Sequence, residues 1–409
     1  MNPTLKRVLL SIGLVALAVL MAFGIYYLFK KAAVPVGGPA AAPGAPGGQL
    51  PTAGERQPGQ AAPGAPGGPT GLPSAVPITP TPSAGVYTPE SISQLSTDYA
   101  LYPSVSDQGG FRYHNASDGK FYQILPDGTT KAMSDQVFYN VNKVTWAKTD
   151  NKAVLEYPDG SKIVYNFNTQ TQVTLPKHWQ DFSFSPDSSQ IAAKSLGLSP
   201  ENRWLVVTND NGSATKLLEP LGENADKVTV DWSPSQQTVA LSQTGQPLGL
   251  DRSEVLFIGL HGENFKSTIV EGLDLKSQWS PTGQKLLYSV DSARSEFKPE
   301  LWVVGAYGDE IGSNRQALKI NTWANKCSFS DDDTLFCAVP RDLPQGAGIS
   351  PDIANTIPDD FYKIDLKTGL KTNIPSTGDY TVNSISYDKA TNKLIFTDKN
   401  KTGVFQVNL

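Results

Sequence analysis

An all-β ring of small sheets is predicted for most of this chain by three observations. An aromatic residue, a short polar turn and an apolar run recur together seven times, at intervals of 38 to 58 residues. A second pair of β-rich segments joined by a turn lies between successive copies. About 320 residues remain once the N-terminal region is set aside, which is the length of one large ring. Periods of roughly 40–50 residues with four strands each are typical of propeller blades. We therefore predict a seven-bladed β-propeller over residues 86–409, with six or eight blades as alternatives.

The repeated motif is clearest in four copies. They read FSPDSSQIAAKS from Phe184, WSPSQQTVALS from Trp232, WSPTGQKLLYSV from Trp279 and FSDDDTLFCAV from Phe329. Weaker copies begin at Trp146 and Tyr387, and a degenerate copy begins at Tyr102. We predict that the aromatic residue ends the innermost strand a, that the polar residues form a turn, and that strand b follows.

The outer half of each blade is predicted to be a second hairpin, of strands c and d. In the last copy the sequence ends at Leu409 after strand c. The segment Pro89–Ser96 has the composition of a strand d. We predict that it pairs with the strand near Val404–Asn408, which would close the ring and protect both sheet edges.

The motif W/F-S-P-D/S/T followed by a strand resembles the WD-like repeats of TolB-type propellers, and similar repeats occur in the propeller domain of prolyl oligopeptidases. The resemblance covers residues 86–409 and implies architecture more than function. The chain has no Trp-Asp dipeptide, so it differs from a true WD-repeat protein, and it has no G-x-S-x-G segment. The resemblance therefore implies no peptidase nucleophile.

An uncharged run of 22 residues, 8–29, lies between Lys6-Arg7 and Lys30-Lys31. A helix of this length measures about 33 Å, against a hydrocarbon core of about 30 Å. We predict an uncleaved transmembrane signal anchor after a short tail of residues 1–7. The alternative is a cleavable signal peptide, whose apolar region usually spans about 7–15 residues. The positive charge on the N-terminal side favours a single-pass membrane protein with the propeller outside the cytoplasm.

Residues 30–85 are rich in Pro, Gly and Ala, and we predict a disordered linker because such a segment has little apolar surface to bury. The basic residues beside the apolar run carry four positive charges, so the formal charge of −5 for the chain becomes −9 for residues 86–409. An acidic domain is a poor ligand for a phosphate backbone, which argues against a nucleic-acid partner.

The b–c and d–a loops of a propeller share one face, which we call the long-loop face. Four b–c loops are long, at 196–203, 243–253, 291–300 and 340–360. Because long loops are often functional, we predict a recognition surface there, over blades three to six. Arg and Trp are enriched at interaction hot spots. The candidate binding residues are Arg203, Arg252, Arg294 and Arg341 in the loops and Trp179 and Trp323 in the d–a segments. The alternative is that the tryptophans belong to the core and the arginines are merely solvated.

The cysteines and acidic residues give weaker signals. Cys327 and Cys337 fall on strands a and b of the sixth copy. This placement is compatible with a disulfide and equally with a pair of free buried cysteines. The run Asp331–Asp333 fits a turn better than a calcium loop, because it lacks the Gly and the downstream Glu of that loop. With 3 scattered His, the chain suggests no metal site and no cofactor.

Together these features predict a membrane-tethered module that binds a protein or a cell-envelope polymer through its long-loop face and has no catalytic activity. One alternative is an enzyme that acts on glycan or peptide in the central channel. A purely structural component is the other.

Overall fold

The computed structural model describes residues 92–106, 109–249 and 251–409. Their strands form seven antiparallel sheets of four strands each. In six sheets the strands follow chain order from a to d, and in the seventh the outermost strand comes from the beginning of the described chain. The prediction of a seven-bladed β-propeller is confirmed, and the alternatives of six and eight blades are excluded.

The strand bounds of the first four blades follow. Blade one has Ala100–Val105, Phe111–Asn115, Lys120–Ile124 and Thr130–Ala132; blade two has Lys143–Trp146, Lys152–Glu156, Lys162–Asn166 and Thr171–Leu175. Blade three has Trp179–Phe184, Gln190–Leu196, Arg203–Asn209 and Lys216–Pro220; blade four has Val228–Val230, Thr238–Ser242, Ser253–Gly259 and Thr268–Val270.

The remaining blades and the short helices complete the described chain. Blade five has Leu273–Trp279, Lys285–Asp291, Pro299–Gly305 and Gln316–Ala317; blade six has Cys327–Asp331, Thr334–Pro340, Asp359–Asp365 and Lys371–Ile374; blade seven has Val382–Asp388, Lys393–Asp398, Val404–Asn408 and Ser93–Ser96. The described loops contain the 3₁₀ helices Pro200–Asn202, Gly222–Lys227, Ala293–Ser295, Gly308–Glu310, Ala324–Lys326 and Pro351–Ala354.

The Ser-Pro part of the motif forms the turn between strands a and b. In blade five the backbone N–H of Ser280 donates to the carbonyl of Lys285 over 2.9 Å, and the same bond closes the turns at Ser185 and Ser233. Gly283, in this turn, has a φ of 74°. A Cβ atom there would lie 2.5 Å from the Oγ of Ser233, so the close approach of the turn of blade four requires glycine.

The apolar core is divided among the interfaces between blades. Seven buried clusters each combine residues of two neighbouring blades, including one that joins blade seven to blade one. Motif aromatics also link blades through hydrogen bonds. The indole N–H of Trp146 donates to the carbonyl of Tyr102 over 2.7 Å, and that of Trp279 donates to the carbonyl of Asp231 over 3.2 Å. At these two copies the motif aromatic therefore fastens its blade to the preceding one.

The ring closes through the strand Ser93–Ser96, which pairs antiparallel with Val404–Asn408. Ser93 lies opposite Gln406, and Ser96 lies opposite Val404. The predicted closure is confirmed. It gives both terminal strands a hydrogen-bonded partner within one sheet.

The part of the chain that the structure describes contains no helix long and apolar enough to cross a membrane. The predicted tail of residues 1–7, the anchor of 8–29 and the linker of 30–85 lie outside the described residues, and they remain predictions.

Candidate functional site

The long-loop face is uneven, as the sequence predicts. The b–c connections of blades three to six run over 197–202, 243–252, 292–298 and 341–358, whereas those of blades one, two and seven run over 116–119, 157–161 and 399–403. The longest loop, of blade six, therefore stands beside the long loop of blade five.

The loop 341–358 is fastened to the neighbouring blades on both sides. The N–H of Gly346 donates to the carbonyl of Glu296 over 2.9 Å, and the N–H of Gly348 donates to that of Phe297 over 2.7 Å. On the other side, the side-chain amide of Asn400 donates to the carbonyl of Asn355 over 2.8 Å. These hydrogen bonds hold the loop in place across the surface of blades five to seven.

Both candidate tryptophans are buried, so the expectation that they form part of the surface is corrected. Trp323 is 6% exposed and packs against Leu343, Ala347 and Ala354 beneath the loop 341–358. Trp179 is 5% exposed and belongs to the core between blades two and three. Trp323 supports the long-loop face from below, because the longest loop rests on its ring.

Arg203 holds its own loop in place. Its guanidinium donates to the carbonyls of Gly197, Leu198 and Gly222 over 3.3–3.4 Å. It also lies 3.5 Å from the carboxylate of Glu223. This side chain fixes the shape of the loop 197–202 and leaves little of its hydrogen-bonding capacity for a partner.

Arg252 and Arg294, from different loops, meet at one carboxylate. The carboxylate of Glu271 lies 2.8 Å from Arg294, 2.8 Å from Arg315 and 4.0 Å from Arg252. Burial alone would raise the pKa of Glu271, but the hydrogen bonds from Arg294 and Arg315 hold it below its ordinary value. Three cations around one anion leave an excess of positive charge on this part of the face.

No motif or pattern in the sequence pointed to Glu271 or Arg315. Glu271 lies in the segment between blades four and five, and Arg315 directly precedes strand d of blade five. Only the pairing of the strands brings these positions next to the two loop arginines.

Arg341 lies at the wall of a cavity of about 350 Å³ between blades five and six. Its guanidinium donates to Asp360 over 2.8 Å and to Asp379 over 2.5 Å. These hydrogen bonds raise the pKa of Arg341, so the side chain is a permanent, fixed cation. A second cavity, of about 560 Å³, lies beside Arg252.

The exposed apolar side chains of the described residues are concentrated on the long-loop face. Ile349 and Ile353 project from the loop 341–358 with 62% and 45% of their surface exposed, and Leu198 is 101% exposed. The exposed large apolar residues on this face are Tyr99, Val137, Tyr139, Leu198, Leu248, Leu273, Ile349 and Ile353. Those in the loops of the opposite face are Tyr307 and Leu370.

One strongly perturbed carboxyl group lies directly after strand a of blade four. Burial raises the pKa of Asp231 to about 6, and the nearby charge of Lys148 opposes the shift. Lys148, of blade two, donates to the carbonyl of Trp232, of blade four, over 2.7 Å, a contact between two non-adjacent blades. The described residues include no group of three His, Cys, Asp or Glu side chains placed to hold a metal ion.

Cys327 and Cys337 lie directly opposite each other on strands a and b of blade six. They form a disulfide, with an S–S distance of 2.15 Å and a Cα–Cα distance of 4.0 Å. Val339 and Tyr362 pack against the core cluster that contains this bond, and both line the cavity between blades five and six. The disulfide therefore supports one wall of that cavity.

Replacing both cysteines, as Cys327→Ser/Cys337→Ser, is expected to lower the free energy of unfolding by about 2–3 kcal/mol, because the bond closes a loop of roughly ten residues in the unfolded chain. Urea denaturation of the two proteins would measure the loss. Two alkylatable thiols in the unfolded, unreduced wild-type protein would show that the bond is absent and contradict the prediction.

No protein-family model and no curated protein matches this chain. Among solved structures, oligogalacturonate lyase in complex with manganese is 11% identical with a TM-score of 0.52, over 78% of this chain and 93% of that one. The propeller domain of Cps50 (Swd1) from Myceliophteria thermophila is 11% identical with a TM-score of 0.50, over 78% and 99%. These likenesses show a β-propeller.

The tricorn protease also matches, at 8% identity and a TM-score of 0.46, over 79% of this chain. The chain spans only 34% of the length of that protease. At such identities the comparisons show the fold and no single family. The finer resemblance to TolB-type repeats therefore stays a prediction.

Proposed function

We propose that this protein is a membrane-tethered, extracytoplasmic binding module that takes a protein partner on its long-loop face. The observation that carries the proposal is the concentration of exposed apolar side chains on that face. Exposed apolar surface that is enriched on one side of a protein favours an interaction site there. On the opposite face, the exposed large apolar residues among the described residues outside the strands are Tyr307, Leu370 and Leu409.

The apolar side chains favour a protein over a cell-envelope polymer. Interfaces between proteins combine an apolar centre with a polar rim that includes arginine. Ile349, Ile353 and Leu198 offer aliphatic groups of that kind, and Arg252 and Arg294 offer half-exposed cations on the same face. A polymer of sugars would need many hydroxyl partners, which aliphatic side chains do not provide.

The proposed location has separate support. Disulfides persist mainly in oxidising compartments, and the bond between Cys327 and Cys337 fits such an environment. The apolar run of residues 8–29 with its flanking basic residues is the sequence feature that would hold the module at a membrane.

Ile349→Asp should weaken capture of the partner at least 10-fold, because a buried unpaired charge opposes an apolar contact. The matched control is Leu370→Asp, on the opposite face, since the wild-type side chains are 62% and 64% exposed. The measurement is photo-crosslinking in native membranes from position 353, with and without Ile349→Asp, followed by mass spectrometry.

Equal losses in Ile349→Asp and Leu370→Asp would contradict the choice of face. Crosslinks to envelope polymer in place of a protein would contradict the choice of partner. Neither variant replaces a buried residue, so both are expected to fold.

Asp231 is the observation that favours the enzymatic alternative. A carboxyl group with a pKa of about 6 suits a general acid near neutral pH. Glycoside hydrolysis uses two carboxyl groups about 5–10 Å apart. The charged group that influences the pKa of Asp231 is instead the ammonium of Lys148, which is not a second carboxyl group. We therefore propose binding as the primary function.

A further inference from the structure

The cavity between blades five and six is lined by four cationic side chains in a domain that is acidic as a whole. Lys298, Lys319, Arg341 and Lys371 surround it, and Asp342 contributes the single carboxylate of its lining. The formal charge of residues 86–409 is −9, so this concentration of positive charge is opposite to the average of the domain. Its volume of about 350 Å³ suits a small group such as an amino-acid side chain with part of its backbone.

Three of the four cations are held in position by their own contacts. Arg341 donates to Asp360 and Asp379, and Lys298 lies 2.8 Å from Glu296. Lys371 donates to the carbonyl of Lys319 over 3.2 Å, which ties strand d of blade six to blade five. Cations that are already ordered lose little conformational entropy when an anion arrives.

Lys319 and Lys371 have no carboxylate within salt-bridge distance among the described residues, unlike Lys298 and Arg341. These two ammonium groups are therefore free of a direct ion pair, although Asp342 also lines the cavity. An anion that enters the cavity would meet two ammonium groups without a paired carboxylate and two further cations already paired with carboxylates.

We propose that this cavity binds a carboxylate side chain of an acidic segment in the protein partner. The proposal rests on the proposed function, because the cavity opens at the rim of the long-loop face, between the starts of the b–c loop of blade six and strand c of blade five.

The remaining lining favours a peptide carboxylate over an acidic sugar. It is formed mainly by the apolar groups of Ile320, Val339, Pro340 and Leu343, with the ring of Tyr362. An Asp or Glu side chain presents its carboxylate on an apolar stem, which matches these walls. A uronic acid would bring several hydroxyl groups, and Asn321 is the one neutral amide in the lining to receive them.

The test measures binding of a fluorescent hexaglutamate peptide to the full chain in detergent, by anisotropy. We expect saturable binding that weakens as salt screens the charges, and at least a 10-fold rise in Kd in Lys319→Gln/Lys371→Gln. The matched control is Lys216→Gln. Lys216 also begins a strand d and donates to a carbonyl of a neighbouring blade, Leu260 over 3.2 Å, but lines no part of this cavity.

Failure of peptide binding, an equal effect of Lys216→Gln, or preferential binding of an oligogalacturonide would each overturn the proposal. The outcomes separate it from the proposed function. If Lys319→Gln/Lys371→Gln keeps the crosslinks from position 353 while Ile349→Asp loses them, the face binds a partner and the cavity is not involved. If both keep them, the proposed function fails as well.

Discussion

A chain that begins at Thr97 is expected to lose cooperative unfolding. The deletion removes the strand Ser93–Ser96 and leaves Val404–Asn408 as an unpaired edge. It also removes Ile92 and Leu95, which pack against the cores between blades six and seven and between blades seven and one. Lost ladder hydrogen bonds and partly buried side chains together cost about 4 kcal/mol or more, against a typical total of about 5–15 kcal/mol.

The matched control is a chain that begins at Ile92 and therefore keeps the closing strand. Differential scanning calorimetry should give one sharp transition for the control and a broad, lower transition for the shorter chain. The exposed edge should also make the shorter chain aggregate on heating. A full, sharp transition in the chain that begins at Thr97 would refute closure by this strand.

Lys326→Met is expected to destabilise the propeller by about 3–5 kcal/mol, because it leaves a buried carboxylate without its cation. The ammonium of Lys326 donates to both oxygens of Asp359 over 2.7 Å, and both side chains are almost completely buried. Asp359 also accepts the N–H of Val382 over 2.7 Å. The pair therefore joins the exit of the loop 341–358 to the inner strands of blades six and seven.

The effect of pH on this variant has a definite sign. Burial raises the pKa of Asp359 and lowers the pKa of Lys326, although each charge opposes the shift of the other. A carboxyl group whose folded pKa is raised favours folding below its unfolded pKa and loses that contribution as pH rises through the folded pKa. The destabilisation in Lys326→Met should therefore be largest near neutral pH and diminish as acid protonates Asp359.

Two further variants make this measurement specific. Lys326→Met/Asp359→Asn removes the charge and keeps an acceptor for Val382, so it should recover most of the loss in urea denaturation. Lys177→Met breaks an exposed pair with Asp159, in which the side chains are 66% and 63% exposed, and should have a much smaller effect because solvent screens the pair. Equal losses in Lys326→Met and Lys177→Met would show that the buried pair has no special role.

Much of the fold could be predicted because its determinants are local and repeated. The a–b turns depend on a few neighbouring residues, such as Ser280 and Gly283 in blade five, and the same serine hydrogen bond recurs at Ser185 and Ser233. The closing strand was predictable for a different reason. The last copy of the repeat supplies strands a, b and c, and the segment Pro89–Ser96 ahead of the first strand a has the composition of a strand d.

The candidate site was less predictable because it depends on contacts between distant segments. Trp179 and Trp323 were placed in d–a segments on the long-loop face, yet packing buries both rings. Arg252 and Arg294 were predicted as separate candidates, and only the folded chain brings them to Glu271. Residue type could not distinguish a tryptophan beneath a loop from one on its surface.

The basic cavity was also hidden in the sequence. Its lysines lie in strands and connections of two blades, at positions 298, 319 and 371, where each reads as an ordinary solvated residue. Only the pairing of blades five and six places them around one space. The disulfide that supports its wall was left open by the sequence for a similar reason, since the spacing of the cysteines did not determine their register.

The direction of the closing strand has a mechanical consequence. Ser93 pairs near the end of strand c that points away from the long-loop face, and the chain then runs toward that face through Ser96. The described chain therefore enters this sheet from the side opposite the long-loop face. Tension applied through that junction is carried first by the ladder between Ser93–Ser96 and Val404–Asn408, while the surface over blades three to six bears none of the load directly. The closing strand is thus also the point at which a pulled ring would begin to open.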